Sequence, residues 1–121
     1  MMPNGQVLAY LGDVVYEKRV REYYIAQGMH QVNRLHQAVT QLTMAAAQVS
    51  ALNVIQPHLS DDEWQFVLKG RNAKISKKPK HIDLQGYLLA SGFESLLGAL
   101  ALQGKEQRID DLCAMVFQKI G

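Results

Sequence analysis

Cysteine and proline are nearly absent from this 121-residue chain, which has one of the first and three of the second. A lone Cys113 excludes an internal disulfide framework, and its neighbours Leu112, Ala114 and Met115 read as helical core. A fold without such staples points to a reducing, cytoplasmic setting. No apolar stretch reaches the roughly 18 residues that a membrane-spanning helix needs. The opening Met1-Met2-Pro3-Asn4-Gly5 lacks the basic-then-apolar order of a signal peptide. The four histidines, at 30, 36, 58 and 81, have no ligand spacing with the cysteine, which argues against a zinc site. Strand-like alternation is scarce as well.

What the chain does have is helical punctuation. From Val7 to about Ala26 the apolar residues fall at 7, 8, 11, 14, 15, 20, 24 and 25, a helical period, and Gly28 is a stop signal. A second helix is expected from about His30 to Met44, and Ala45-Ala46-Ala47 either carries it on or restarts it toward Leu52. Ser60-Asp61-Asp62-Glu63 matches a capping box, with acids at the positive end of the helix dipole, and Gly70 closes that helix. Residues 71 to 82 show no apolar period and contain Pro79, so they read as a loop. Asp83 can cap a long helix to about Gln103, closed by Gly104, and a last helix spans about Glu106 to Lys119. The expectation is an all-α fold of about six helices, with residues 1–121 forming a single domain.

Charge is distributed unevenly. The net charge is only +2, yet residues 64 to 82 carry Lys69, Arg71, Lys74, Lys77, Lys78 and Lys80 without one acid. The rest of the chain is therefore net acidic. A cationic segment on an acidic body suits phosphate binding, although a solvated flexible loop would show the same composition.

Two short stretches each place one acid in an apolar, glycine-bearing helix. Leu8-Ala9-Tyr10-Leu11-Gly12-Asp13-Val14-Val15-Tyr16-Glu17 carries Asp13, and Tyr87 to Gly98 carries Glu94. An acid buried in apolar surroundings is costly unless it is paired, hydrogen-bonded or metal-bound. On the long helix Tyr87, Ser91, Glu94 and Gly98 share a stripe, and on the first helix Ala9, Asp13 and Glu17 share a face. If those faces cross, Asp13 and Glu94 would lie within reach of one hard cation held by carboxylate oxygens and waters. Simpler roles stand beside this one. Asp13 could pair with a basic residue, and Glu94 could bond Tyr10 or Tyr16. Glu17 has an ordinary surface partner in Arg21, and Ser91 has no neighbouring base that would make it a nucleophile.

These two blocks, together with Gly70-Arg71-Asn72-Ala73-Lys74, resemble the ribonuclease III superfamily. Most closely they are similar to Mini-ribonuclease III, its short bacterial branch without a double-stranded-RNA-binding domain. Order, spacing and length agree over nearly the whole chain. The resemblance implies a helical endonuclease domain, a homodimer, and Mg2+-dependent cleavage of double-stranded RNA that leaves 5′-phosphates, with Mn2+ able to substitute. It places the motif aspartate on Asp13 and the late glutamate on Glu94, as catalytic and metal-binding residues. Arg71, Asn72, Lys74, Lys77, Lys78 and Lys80 would hold the duplex, whose A-form shape and backbone a short basic segment can grip. The implied substrate is the large-subunit (23S) ribosomal RNA precursor.

The chain departs from the full-length pattern at two carboxylate positions. Ala9 stands where a glutamate precedes the motif aspartate by four residues, and Ser91 where an aspartate precedes the late glutamate by three. The short branch shares this reduced set, which implies modest metal affinity without RNA. Leu88 replaces the arginine that commonly follows Tyr87 in that branch, removing one phosphate contact. These losses leave a second reading open, a double-stranded-RNA-binding dimer of the same fold with little or no catalysis.

Overall fold

A computed structural model describes residues 1–73 and 83–121. Six α-helices account for most of them: α1 Gly5–Ala26, α2 Val32–Thr43, α3 Ala45–Ile55, α4 Asp61–Arg71, α5 Leu84–Leu102 and α6 Glu106–Ile120, with a 3-10 turn at Gln56–His58. There is no strand among the described residues. No single helix is long and apolar enough to cross a membrane.

The caps explain the boundaries. Ser60 and Glu63 close a reciprocal capping box at the start of α4, with bonds of 3.1 and 2.9 Å between each side chain and the other's backbone N–H. Asp83 accepts the Gly86 N–H at 2.7 Å at the start of α5. Asn4, which carried no signal in the sequence reading, accepts the Val7 N–H at 3.0 Å and opens α1. Gly28 and Gly104 follow α1 and α5 with φ of 92° and 71°, a conformation that side chains oppose. The open question after Thr43 is resolved as a restart. Met44 alone is extended, at ψ 154°, so α2 ends and α3 begins in a new direction.

Helix α5 is the axis of the domain. Its residues from Gly92 to Leu100 are all buried except Glu94, which is partly so, and α1, α3, α4 and α6 pack around it. A helix apolar on every side is stable only in such a position. Phe93, Leu96 and Leu97 of α5 are buried in the core, while Leu88 and Leu89 nearer its start are partly exposed. The core also takes Tyr16 and Val20 from α1, Leu52 and Ile55 from α3, and Ile109, Leu112 and Val116 from α6.

Two polar ties lock the periphery. The nearly buried Arg19 of α1 donates to Glu106 at 3.0 Å and to Asp110 at 2.9 Å, both on α6. Arg108 of α6 grips Glu63 through two bonds of 2.8 and 2.9 Å and also reaches the His58 carbonyl. Its guanidinium holds the Glu63 carboxyl below the usual carboxylate range.

Candidate active site

The site begins with a missing side chain. A β-carbon on Gly12 would lie 1.7 Å from the Glu94 carbonyl oxygen, and one on Gly98 would lie 2.0 Å from the Leu8 carbonyl oxygen. Helices α1 and α5 therefore cross backbone against backbone, at a separation that only glycine permits. Asp13 directly follows Gly12 on one helix, and Glu94 is itself the contact on the other. The crossing brings their carboxyl groups close enough to perturb one another.

Two acids forced together share an electrostatic problem. The Glu94 carboxyl is pushed up to about 8, first by burial and then by the charge of Asp13. One amide opposes this. The Gln48 side-chain N–H2 donates to Glu94 Oε2 at 3.2 Å. Neither acid has an ion-pair partner among the described residues. Glu94 thus retains a proton where a counter-charge is missing, and a hard divalent cation is the species that would satisfy both carboxylates at once. The donor set fits such an ion. No cluster of three or more His, Cys, Asp or Glu suited to a metal occurs among the described residues, so the protein's acidic contribution is this pair.

Among the described residues, the simpler roles open to these two acids are not realised. Tyr10 points to solvent at 82% exposure, and the buried Tyr16 hydroxyl has no hydrogen-bond partner among the described residues. Tyr16 packs edge-on against Phe93 at 4.9 Å and serves the core instead. Glu17 pairs with Arg21, as its spacing suggests. Ser91 lies half-buried one turn before Glu94.

Of the candidate duplex-binding residues, Arg71 and Asn72 are exposed at the end of α4. A β-carbon on Gly92 would stand 3.6 Å from the Arg71 Cβ, so the root of that side chain lies against α5 two residues before Glu94. Lys74, Lys77, Lys78 and Lys80 lie outside the described residues. Gln48 is the member that sequence reasoning missed. A polar amide within the apolar Ala45–Ile55 helix was the available signal, since the rule that singled out the two acids applies to it equally.

Two carboxylates brought close by crossing helices beside a cationic helix end occur in a chain whose residues 6–105 match the ribonuclease III domain family. The chain is 40% identical to the Mini-ribonuclease 3 of Brevibacillus brevis, over 96% of this chain and 87% of that one. Against the Mini-ribonuclease 3 of Desulfitobacterium hafniense it is 44% identical, over 88% of this chain and 67% of that one. The Enterococcus faecalis Mini-ribonuclease 3 is 36% identical over 98% and 91%. A crystal structure of a Fusobacterium nucleatum protein superposes with a TM-score of 0.87 at 25% identity, covering 95% of this chain and 93% of that one. The chain belongs to the Mini-ribonuclease 3 branch of the ribonuclease III family and is an endoribonuclease.

Proposed function

We propose that the protein is a homodimeric, Mg2+-dependent endoribonuclease that cuts double-stranded RNA, with the 23S ribosomal RNA precursor as its natural substrate, in the cytoplasm. The observation that carries the catalytic reading is the approach of Asp13 and Glu94 across the Gly12 crossing, with no positive charge paired to either acid among the described residues. The chain's similarity to Mini-ribonuclease 3 over nearly its whole length supports the substrate class.

Asp13 and Glu94 would hold the ion, with Mn2+ able to replace Mg2+. A bound divalent ion lowers the pKa of a coordinated water and stabilises charge developing on a phosphodiester. The protein's own contribution is position. Asp13 approaches from α1 at the rim of the site, and Glu94 from the wall of α5. Arg71 and Asn72 stand at the near end of the basic segment, where a duplex backbone would be held beside the acids. Lys74, Lys77, Lys78 and Lys80 continue the segment, and their charge would add to that grip.

The dimer reading rests on α1. Val7, Tyr10 and Val14 recur at three- and four-residue spacing with exposures of 49, 82 and 64%. They form an exposed apolar stripe, without a partner among the described residues, on the helix that carries Asp13. Apolar residues grouped this way mark a contact surface more often than scattered ones do.

The test is direct. Duplex RNA incubated with the protein and Mg2+ should yield 5′-phosphorylated fragments, and a chelator should stop the reaction. Binding of the duplex without fragments at any Mg2+ or Mn2+ concentration would favour the non-catalytic RNA-binding dimer instead.

A further inference from the structure

Gln48 is 4% exposed, on the first full turn of α3, and nothing in its own helix requires an amide there. Its Nε2 donates twice, to the Thr43 carbonyl at 3.1 Å and to Glu94 Oε2 at 3.2 Å. Both amide hydrogens are thereby committed. The orientation of the group follows from its partners, because a carbonyl and a carboxylate are both acceptors and an amide oxygen turned toward them would be repelled.

The Thr43 carbonyl is available for a structural reason. It is the last residue of α2, and the extended backbone at Met44 breaks the helical ladder that would otherwise satisfy that oxygen. A helix break thus supplies a fixed acceptor, the acceptor fixes the amide, and the amide holds one oxygen of Glu94. We infer that Gln48 is a positioning residue for metal binding, holding Oε2 of Glu94 so that the other carboxylate oxygen is presented beside Asp13 to the divalent ion. This rests on the reading of Asp13 and Glu94 as the metal-binding pair. In a site with only two acidic ligands, each must be held in place by the protein itself. Outer-shell partners of this kind contribute about 10–100-fold to metal affinity or activity.

The test uses the full-length protein and Mn2+ alone, titrated by calorimetry without RNA. Gln48→Met keeps the approximate volume and removes both donors. It should weaken Mn2+ binding by about 10–100-fold and raise the Mn2+ concentration for half-maximal cleavage in parallel. The affinity for duplex RNA measured in chelator should stay at the wild-type value, and excess Mn2+ should restore cleavage. A merely structural role would not show that recovery. If Gln48→Met does not fold, Gln48→Ala, which suits the alanine-rich start of α3, takes the same titration. A folded variant that binds Mn2+ as the wild type does would overturn the inference while leaving the metal pair intact. A wild-type protein that neither binds Mn2+ nor cuts RNA would overturn the underlying reading itself.

Discussion

At the scale of single residues, the decisive quantity is the unfavourable energy of burying the Glu94 carboxyl, to which the neighbouring Asp13 adds. Replacing either acid with its amide, Asp13→Asn or Glu94→Gln, keeps the shape and removes charge needed by the ion. Cleavage should fall by more than the roughly 10–100-fold that loss of an outer-shell partner costs, with helical content unchanged by circular dichroism. Near-wild-type turnover in either variant would remove that residue from catalysis. The same pair predicts a pH effect on the metal-free protein. Glu94 titrates from an ordinary 4.5 in the unfolded chain to about 8 in the folded one. Between those values the folded state keeps a proton that the unfolded state has released. The stability from this site is therefore full below about 4.5 and declines as pH rises through about 8. In chelator, Glu94→Gln should match the wild-type Tm near the acid end of that window and exceed it progressively toward pH 8. Saturating Mn2+ should raise the wild type and not the variant. A Tm difference that is flat across the window would mean that burial and Asp13 together do not raise the Glu94 carboxyl.

At the scale of elements, the acids meet because α1 and α5 touch through glycine. Gly12→Ala would drive a methyl group into the Glu94 carbonyl oxygen, which is backbone and cannot swing aside. Overpacking of this kind typically costs about 1–3 kcal/mol and occasionally more, and a main-chain clash belongs at the upper end. The Tm should drop by on the order of 10 °C, and Mn2+ affinity should fall as the helices separate. An alanine variant with unchanged Tm and unchanged metal binding would show that the crossing has slack. Much of this level was legible in the chain itself. Ser60, Asp83, Gly28 and Gly104 act locally, through hydrogen bonds or dihedral angles within a few residues, so pattern alone locates them. The acids stood out because their apolar surroundings leave few roles for a charge. What could not be read depends on partners distant in sequence. The break at Met44 involves no glycine or proline, and Gln48 acts on a residue in a different helix. The all-round burial of α5 likewise follows from how many helices surround it, which its own sequence does not count.

At the scale of the whole molecule, a duplex presents two strands, and cutting both calls for two sites related by a twofold axis. One protomer supplies one Asp13–Glu94 pair. The exposed stripe of Val7, Tyr10 and Val14 lies along the helix that carries Asp13, so an isologous contact through it would bury the same patch on each copy. It would also bring the two Asp13 residues toward a common axis, with the basic α4 ends available to the duplex on either side. Burial of such side chains contributes about 25 cal/mol per Å2 of apolar area removed from water, which favours association most where exposure is greatest, at Tyr10. The combined change Tyr10→Glu and Val14→Glu should therefore convert the protein to monomer in sedimentation at micromolar concentration. Because both side chains face solvent in the protomer, the monomer should keep its helical content. Its cleavage should be lost or reduced to occasional single-strand nicks. The wild type should sediment as a dimer without RNA. A doubly substituted protein that remains dimeric would move the interface off α1, and a monomer that still cuts both strands would remove the need for a twofold pair of sites.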